Sequence, residues 1–284
     1  MSFHQALRPA RLRTIVVAAV LAVTGLLVVT SQGASAHEVA AAGTGGAKPV
    51  IVLEHGAWAD AGSWNAVIGL LQRAGYTVYA PPNPLEGLAI DTATLADFLQ
   101  HTITGPIVLV GHSYGGEVIT NAATGNSQVK ALVYVDGYLP EQGEDLVDLT
   151  TAGSCFAVPD LSTVFNFVPD PVSPTGAVAY VKPTVFPGCF ANGLPASAGA
   201  VLAATQRPLA TSTFTDQSGV PAWQTIPSWD VVGTADHIIT PAEQLFMANR
   251  AHAHITEINA PHLSMITDPG VVASVIIQAA QATS

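Results

Sequence analysis

Ile107-Val108-Leu109-Val110-Gly111-His112-Ser113-Tyr114-Gly115-Gly116 is the stretch on which the fold turns. Four apolar residues in a row fit a strand buried on both faces. The glycine-flanked Ser113 then fits a sharp strand-to-helix turn, where larger neighbours would clash and the hydroxyl stands proud of the sheet edge. A helix to about Ala123 is predicted after it. Residues 50–53, 77–80, 130–135, 229–232 and 255–258 read as further strands. Between several of them apolar residues recur at helical spacing, as in Trp64, Val67, Ile68 and Leu71, or Leu95, Phe98 and Leu99. Repeated strand-helix units predict an α/β fold with a mostly parallel sheet flanked by helices. Thr240-Pro241 with Glu243, and Asp268-Pro269, mark two late helix starts.

The rhythm fails across residues 140–221. That stretch is dense in Pro, Gly, Ser and Thr, yet carries Phe156, Phe165, Phe167, Tyr180, Phe186 and Phe190. It is too aromatic for a linker and too long for a plain loop, so it reads as an inserted cap over the sheet edge. Upstream, Arg8, Arg11 and Arg13 precede an uncharged run over residues 15–30, and Ala34-Ser35-Ala36 follows. This is the pattern of a signal peptide over residues 1–36, and the run is shorter than the ~20 residues a membrane span needs. Residues 37–48 read as a flexible lead-in, and 49–284 as the folded domain. Secretion without a stable membrane anchor is expected. In an oxidising compartment the two cysteines, Cys155 and Cys189, are expected to pair.

A serine hydroxyl needs a base to take its proton. Of nine histidines, His262 in Asn259-Ala260-Pro261-His262 follows the last predicted strand, at the same sheet edge as Ser113. The acid that orients it is Asp236, after the strand 229–232, with Asp136, after the strand 130–135, as the alternative; chain order fits both. His252 and His254 lack a third metal ligand in view and read as surface residues. Backbone N–H groups of Ala57, in His55-Gly56-Ala57-Trp58, and of Tyr114 suit an oxyanion hole. Trp58, Phe156, Phe165 and Phe186 are the expected substrate-binding aromatics, forming the wall and lid of an apolar pocket.

The segments HGAWADAGSW, GHSYGG, SWDVVGTAD and APHLSMITDP together resemble a bacterial α/β-hydrolase family similar to plant methyl-ester esterases and hydroxynitrile lyases. The resemblance covers nearly the whole chain after residue 48. It implies the α/β-hydrolase fold, a Ser-Asp-His triad on Ser113, Asp236 and His262, and oxyanion contacts at Ala57 and Tyr114. Two departures stand out: Glu54 replaces an apolar residue before His55-Gly56, and Asp230 interrupts the strand leading to Asp236.

These residues predict hydrolysis of a small apolar carboxylic ester or lactone through an acyl-enzyme, with no metal and no organic cofactor. Lyase or perhydrolase chemistry on the same triad is the alternative, as is an inactive binding module. A lyase needs a cation beside the leaving anion, and Lys130 and Lys182 lie outside the motif loops. The net charge of -11, with Lys and Arg totalling nine, supplies no basic stripe for nucleic acid. Oligomeric state is not legible.

Overall fold

In the computed structural model, residues 48–173 and 175–283 are described. The expected signal peptide, 1–36, and all but the last residue of the lead-in lie outside the described residues. Lys48 Nζ donates to Ala74 O at 2.6 Å and lies over the Tyr76 ring.

The apolar runs in the middle of the sheet become strands because each is covered on both faces. Strand β1 (Val50–Glu54) leads through a 3-10 turn into helix α1 (Asn65–Arg73) and the two-residue strand β2 (Val78–Tyr79). Helix α2 (Leu88–Thr102) returns to β3 (Ile107–His112), all six of whose residues are buried. Helix α3 (Tyr114–Ala122) and β4 (Val129–Val135) follow. The next segment holds β5 (Phe165–Pro169), β6 (Ala177–Val181), helix α4 (Ala196–Thr205) and β7 (Leu209–Ala210). The alternation then resumes with β8 (Ser228–Gly233), α5 (Pro241–Arg250), β9 (His254–Ile258), the single turn α6 (Ser264–Thr267) and α7 (Pro269–Ala282). Thr240 caps α5 through its hydroxyl, which accepts from Glu243 N–H at 3.3 Å.

Among the described residues the main sheet has six strands in the order β2-β1-β3-β4-β8-β9, every pair parallel. Strand order reverses between β1 and β3. Right-handed crossovers therefore put α1 on one face, where it packs on α7, and α2 with α3 on the other. At such a reversal the loops after the two strands diverge and leave a crevice. Those loops here begin at His55 and at Ser113.

The stretch expected as a cap builds a second sheet, β5-β6-β7, which is antiparallel. Cys155 and Cys189 are joined in a disulfide within it, their Cα atoms 6.0 Å apart. Trp58 Nε1–H, from the loop after β1, donates to Ala179 O at 3.0 Å, and Ala210 N–H donates to Leu85 O at 2.9 Å. Both bonds fasten this segment to the main sheet's edge.

Candidate active site

Ser113 stands alone between β3 and α3 at φ 53° and ψ -126°. A non-glycine residue there costs on the order of 1–3 kcal/mol, which the surroundings must offset. They do so by clamping the turn: Ser113 N–H donates to Val135 O at 3.3 Å, while Tyr138 N–H and Gly116 N–H donate to Ser113 O at 3.1 and 2.9 Å. A methyl group on Gly111 would come within 2.4 Å of Gly115 O, and one on Gly115 within 2.8 Å of Glu54 O. Only glycine allows the turn to fold this tightly against β1.

The loop after β9 delivers His262 to the same edge. Its Nε2 lies 3.0 Å from Ser113 Oγ and its Nδ1 lies 2.8 Å from Asp236 Oδ2. Asp236 comes from the loop after β8. Its Oδ1 accepts Ile238 N–H at 2.6 Å and Ile239 N–H at 3.2 Å, and its Oδ2 accepts the Gln244 amide at 2.8 Å. Ser113, His262 and Asp236 are all buried. His112 adds a brace from behind, its Nε2–H donating to His262 O at 2.9 Å.

Burial acts on both partners of the His262–Asp236 contact. It pushes His262 down to about 3, and pushes the Asp236 carboxyl up to about 8 against its hydrogen bonds to Ile238, Ile239 and Gln244. Taken alone, the second shift would protonate the acid. The carboxylate form prevails, because three fixed N–H donors face its oxygens and a proton there would meet a donor rather than an acceptor. With hydrogen on Nδ1, His262 presents a bare Nε2 to the serine hydroxyl.

Asp136 follows β4 at the same sheet edge and is fully buried. It does not reach His262 by a hydrogen bond; its Oδ2 accepts Ser264 N–H at 3.2 Å, two residues further on. Burial and the nearby Asp236 charge both raise its carboxyl well above the usual range.

A cavity of about 560 Å³ opens at Ser113. Ala57 and Tyr114 line it, and neither backbone N–H has a hydrogen-bond partner among the described residues. Trp58, Phe156 and Phe165 form its aromatic wall, with Trp58 and Phe165 stacked at 5.3 Å. Phe186 is not in this wall: it packs behind, on Phe190 at 4.8 Å, and lines a separate small cavity. The cavity lining also includes Tyr138, Leu146, Val147, Thr150, Phe214 and Ile238, which the sequence reading passed over. They lie in the irregular stretch between β4 and β8 or beside Asp236, where no periodicity marks a face. Gln244 carried one overlooked signal, an amide one residue after the Glu243 cap partner, on the first turn of a helix starting beside the acid.

Other expected sites fall elsewhere. Lys130 Nζ donates to Ser127 O and Lys182 Nζ to Ser162 O, the first exposed, the second half-buried, and both outside the cavity. His254 stacks on Trp229 at 4.9 Å. Among the described residues no group of three or more His, Cys, Asp or Glu is arranged to hold a metal ion, and no helix is long and apolar enough to cross a membrane.

Comparison with known proteins supplies the family. A carbendazim hydrolyzing esterase from Nocardioides sp. (strain SG-4G) is 33% identical over 110 residues, a match covering 34% of this chain and 46% of that protein. The chain thus spans about half the length of this curated relative. An extracellular alpha/beta-hydrolase from a Paenibacillus species, described as sharing structural and functional homology with a tobacco salicylic acid binding protein, superposes with a TM-score of 0.68 at 19% identity, over 81% of this chain and 98% of that one. A pyrethroid hydrolase from Sphingobium faniae JZ-2 superposes with a TM-score of 0.66 at 22% identity, over 82% and 98%. At these identities the superpositions speak for the fold alone. Residues 50–275, from β1 into the last helix, match the pattern of one family as a continuous span, and the protein belongs to that family, the alpha/beta hydrolases.

Proposed function

We propose that the protein is a secreted serine hydrolase that cleaves a small apolar carboxylic ester or lactone through an acyl-enzyme. The observation that carries this reading is the unbroken line from Ser113 Oγ through His262 to Asp236, at 3.0 and 2.8 Å, opening on an apolar cavity. Ser113 Oγ attacks the carbonyl carbon as His262 Nε2 takes its proton, and Asp236 stabilises the imidazolium that forms. The oxyanion of the tetrahedral intermediate accepts from Ala57 N–H and Tyr114 N–H. His262 then gives its proton to the departing alkoxide, leaving Ser113 acylated, and a water activated by the same imidazole releases the acid. In a lactone the departing oxygen stays tethered to the acyl group.

The carbendazim hydrolyzing esterase, 33% identical over 110 residues, supports hydrolysis of a small ester. The Cys155–Cys189 disulfide and the extracellular Paenibacillus neighbour support secretion, with residues 1–36 as the signal peptide, 37–48 as the lead-in and 49–284 as the working domain. Residues 140–221 serve as the cap over the cavity. Trp58, Phe156 and Phe165 are the substrate's walls, while Phe186 supports them from behind.

A fluorophosphonate probe should label Ser113, and Ser113→Ala and His262→Ala should each remove ester turnover by well over about a thousandfold while the variants still fold. Losses below about tenfold in folded variants would end the triad assignment. Asp236→Asn should cost orders of magnitude and Asp136→Asn little. The reverse order would move the acid to β4.

A further inference from the structure

We propose that Trp58 sets the size limit of the substrate, acting as a fixed partition between the cavity at Ser113 and a second cavity behind it. This rests on the reading of the Ser113 cavity as the ester site. The second cavity, about 120 Å³, has Phe186, Phe190 and Leu263 on its apolar side, the last adjoining His262, and Asp60, Ser63 and Thr205 on its polar side. Trp58 is the one residue common to both linings.

The indole is held from several directions. Its face stacks on Phe165, the edges of Phe156 and Phe190 meet it at 5.4 and 5.9 Å, and its Nε1–H is spent on Ala179 O. A buried ring with its polar atom satisfied and its faces covered has no cheap alternative rotamer. It also stands next to Ala57, with a backbone φ of 55°, so the same strained loop that presents the oxyanion donor fixes the wall. An acyl chain entering beside Ser113 therefore meets this wall and stops, with unused volume, partly apolar, on its far side. Removing the indole joins the two spaces along the path beside His262. Trp58 is thus a specificity-determining residue, and the substrates it excludes are esters of longer acyl chains.

The test uses the mature protein with p-nitrophenyl esters of two to twelve acyl carbons. In Trp58→Ala the ratio of kcat/KM for laurate over acetate should rise by about tenfold or more, the scale that a few methylenes in an apolar pocket command. Trp58→Phe, which keeps an aromatic stack but lacks the donor and the second ring, should rise by less and serves if the alanine variant does not fold. A ratio within about twofold of the parent in a folded, probe-labelled variant overturns the partition. Alkyl methyl ketones, which cannot be hydrolysed, separate this from the chemistry. Trp58→Ala should tighten 2-tetradecanone relative to 2-octanone even if Ser113 fails to label, a result that would sink the acyl-enzyme reading alone. Unchanged relative binding of the two ketones would overturn the partition.

Discussion

At the scale of single residues, the site depends on how one oxygen is shared. Asp236 Oδ2 accepts from both His262 Nδ1 and Gln244 Nε2, and the Gln244 amide also donates to Ile239 O at 2.8 Å. Gln244 thereby fixes Asp236 Oδ2 beside His262 Nδ1 and favours the charged form of the carboxyl. Gln244→Leu should lower kcat by about ten- to hundredfold, the worth of one hydrogen bond to a charged group, with KM little changed. Steady-state kinetics check this, and a change confined to KM would contradict it. The histidine has its own signature. Burial lowers His262 below 6.5, and in the proposed mechanism the neutral form is the active one, so activity should be lost only as pH falls through that lowered value. The acid limb of kcat/KM should have its midpoint below 6.5. A midpoint above it would mean that the imidazolium, not the imidazole, is favoured in the free enzyme. The placement of Ser113 and His262 at one sheet edge was legible because Ser113 closes a buried apolar run and His262 follows the last strand of the strand-helix alternation. Asp136 and Asp236 were not separable, since both follow such strands and the sequence does not say which side chain turns toward the histidine.

Among the elements, legibility followed burial. Strands β1, β3 and β4 are covered on both faces and carry continuous apolar runs, while β8 is buried throughout with its run broken by Asp230. Strand β5 has one buried residue followed by four exposed ones, Phe167 and Val168 among them, so neither alternation nor a buried run betrays it. The cap's anchorage was equally hidden. Cys155 N–H donates to His237 O at 2.8 Å, and Asn192, three residues after Cys189, donates from its amide to Ala235 O at 2.8 Å. The disulfide thus gathers two segments that grip the loop on either side of Asp236. Closing a loop of 34 residues contributes about 3–4 kcal/mol in the chain-entropy model. Cys155→Ser with Cys189→Ser should lower the melting temperature and also kcat, because the acid's loop loosens with the cap. Loss of stability with kcat untouched would confine the bridge to the cap.

For the whole molecule, the departures at Glu54 and Asp230 belong to a larger pattern of buried carboxyls. Burial raises Glu54, Glu117, Asp136 and Asp230 well above their ordinary range, and Asp91 to about 6. Neither oxygen of Asp230 has a hydrogen-bond partner among the described residues. A carboxyl that keeps its proton longer in the folded chain than in the unfolded one favours the fold at low pH and costs stability as pH rises toward its folded value. Buried His55, His112 and His262 work the other way, losing stability as pH falls below 6.5. Asp230→Asn isolates one carboxyl from this balance. It should stabilise the protein by an amount that grows from pH 5 to pH 8, by up to about 1.4 kcal/mol per pH unit. Thermal melts at the two values decide it, and a gap that stays level or shrinks would show that Asp230 is ionised throughout.

The chain leaves the main sheet at the end of β4 and rejoins it at β8, and the antiparallel segment between is a single excursion. Ala57, Ser113, Tyr114, Asp236 and His262 all lie outside it, whereas Phe156, Phe165 and Phe214 lie within. The groups placed to act on a scissile bond and most of the aromatic wall around it therefore come from separate stretches of the chain, with Trp58 the exception. Recombination or drift confined to one excursion can change the diet of such an enzyme while its chemistry is inherited intact.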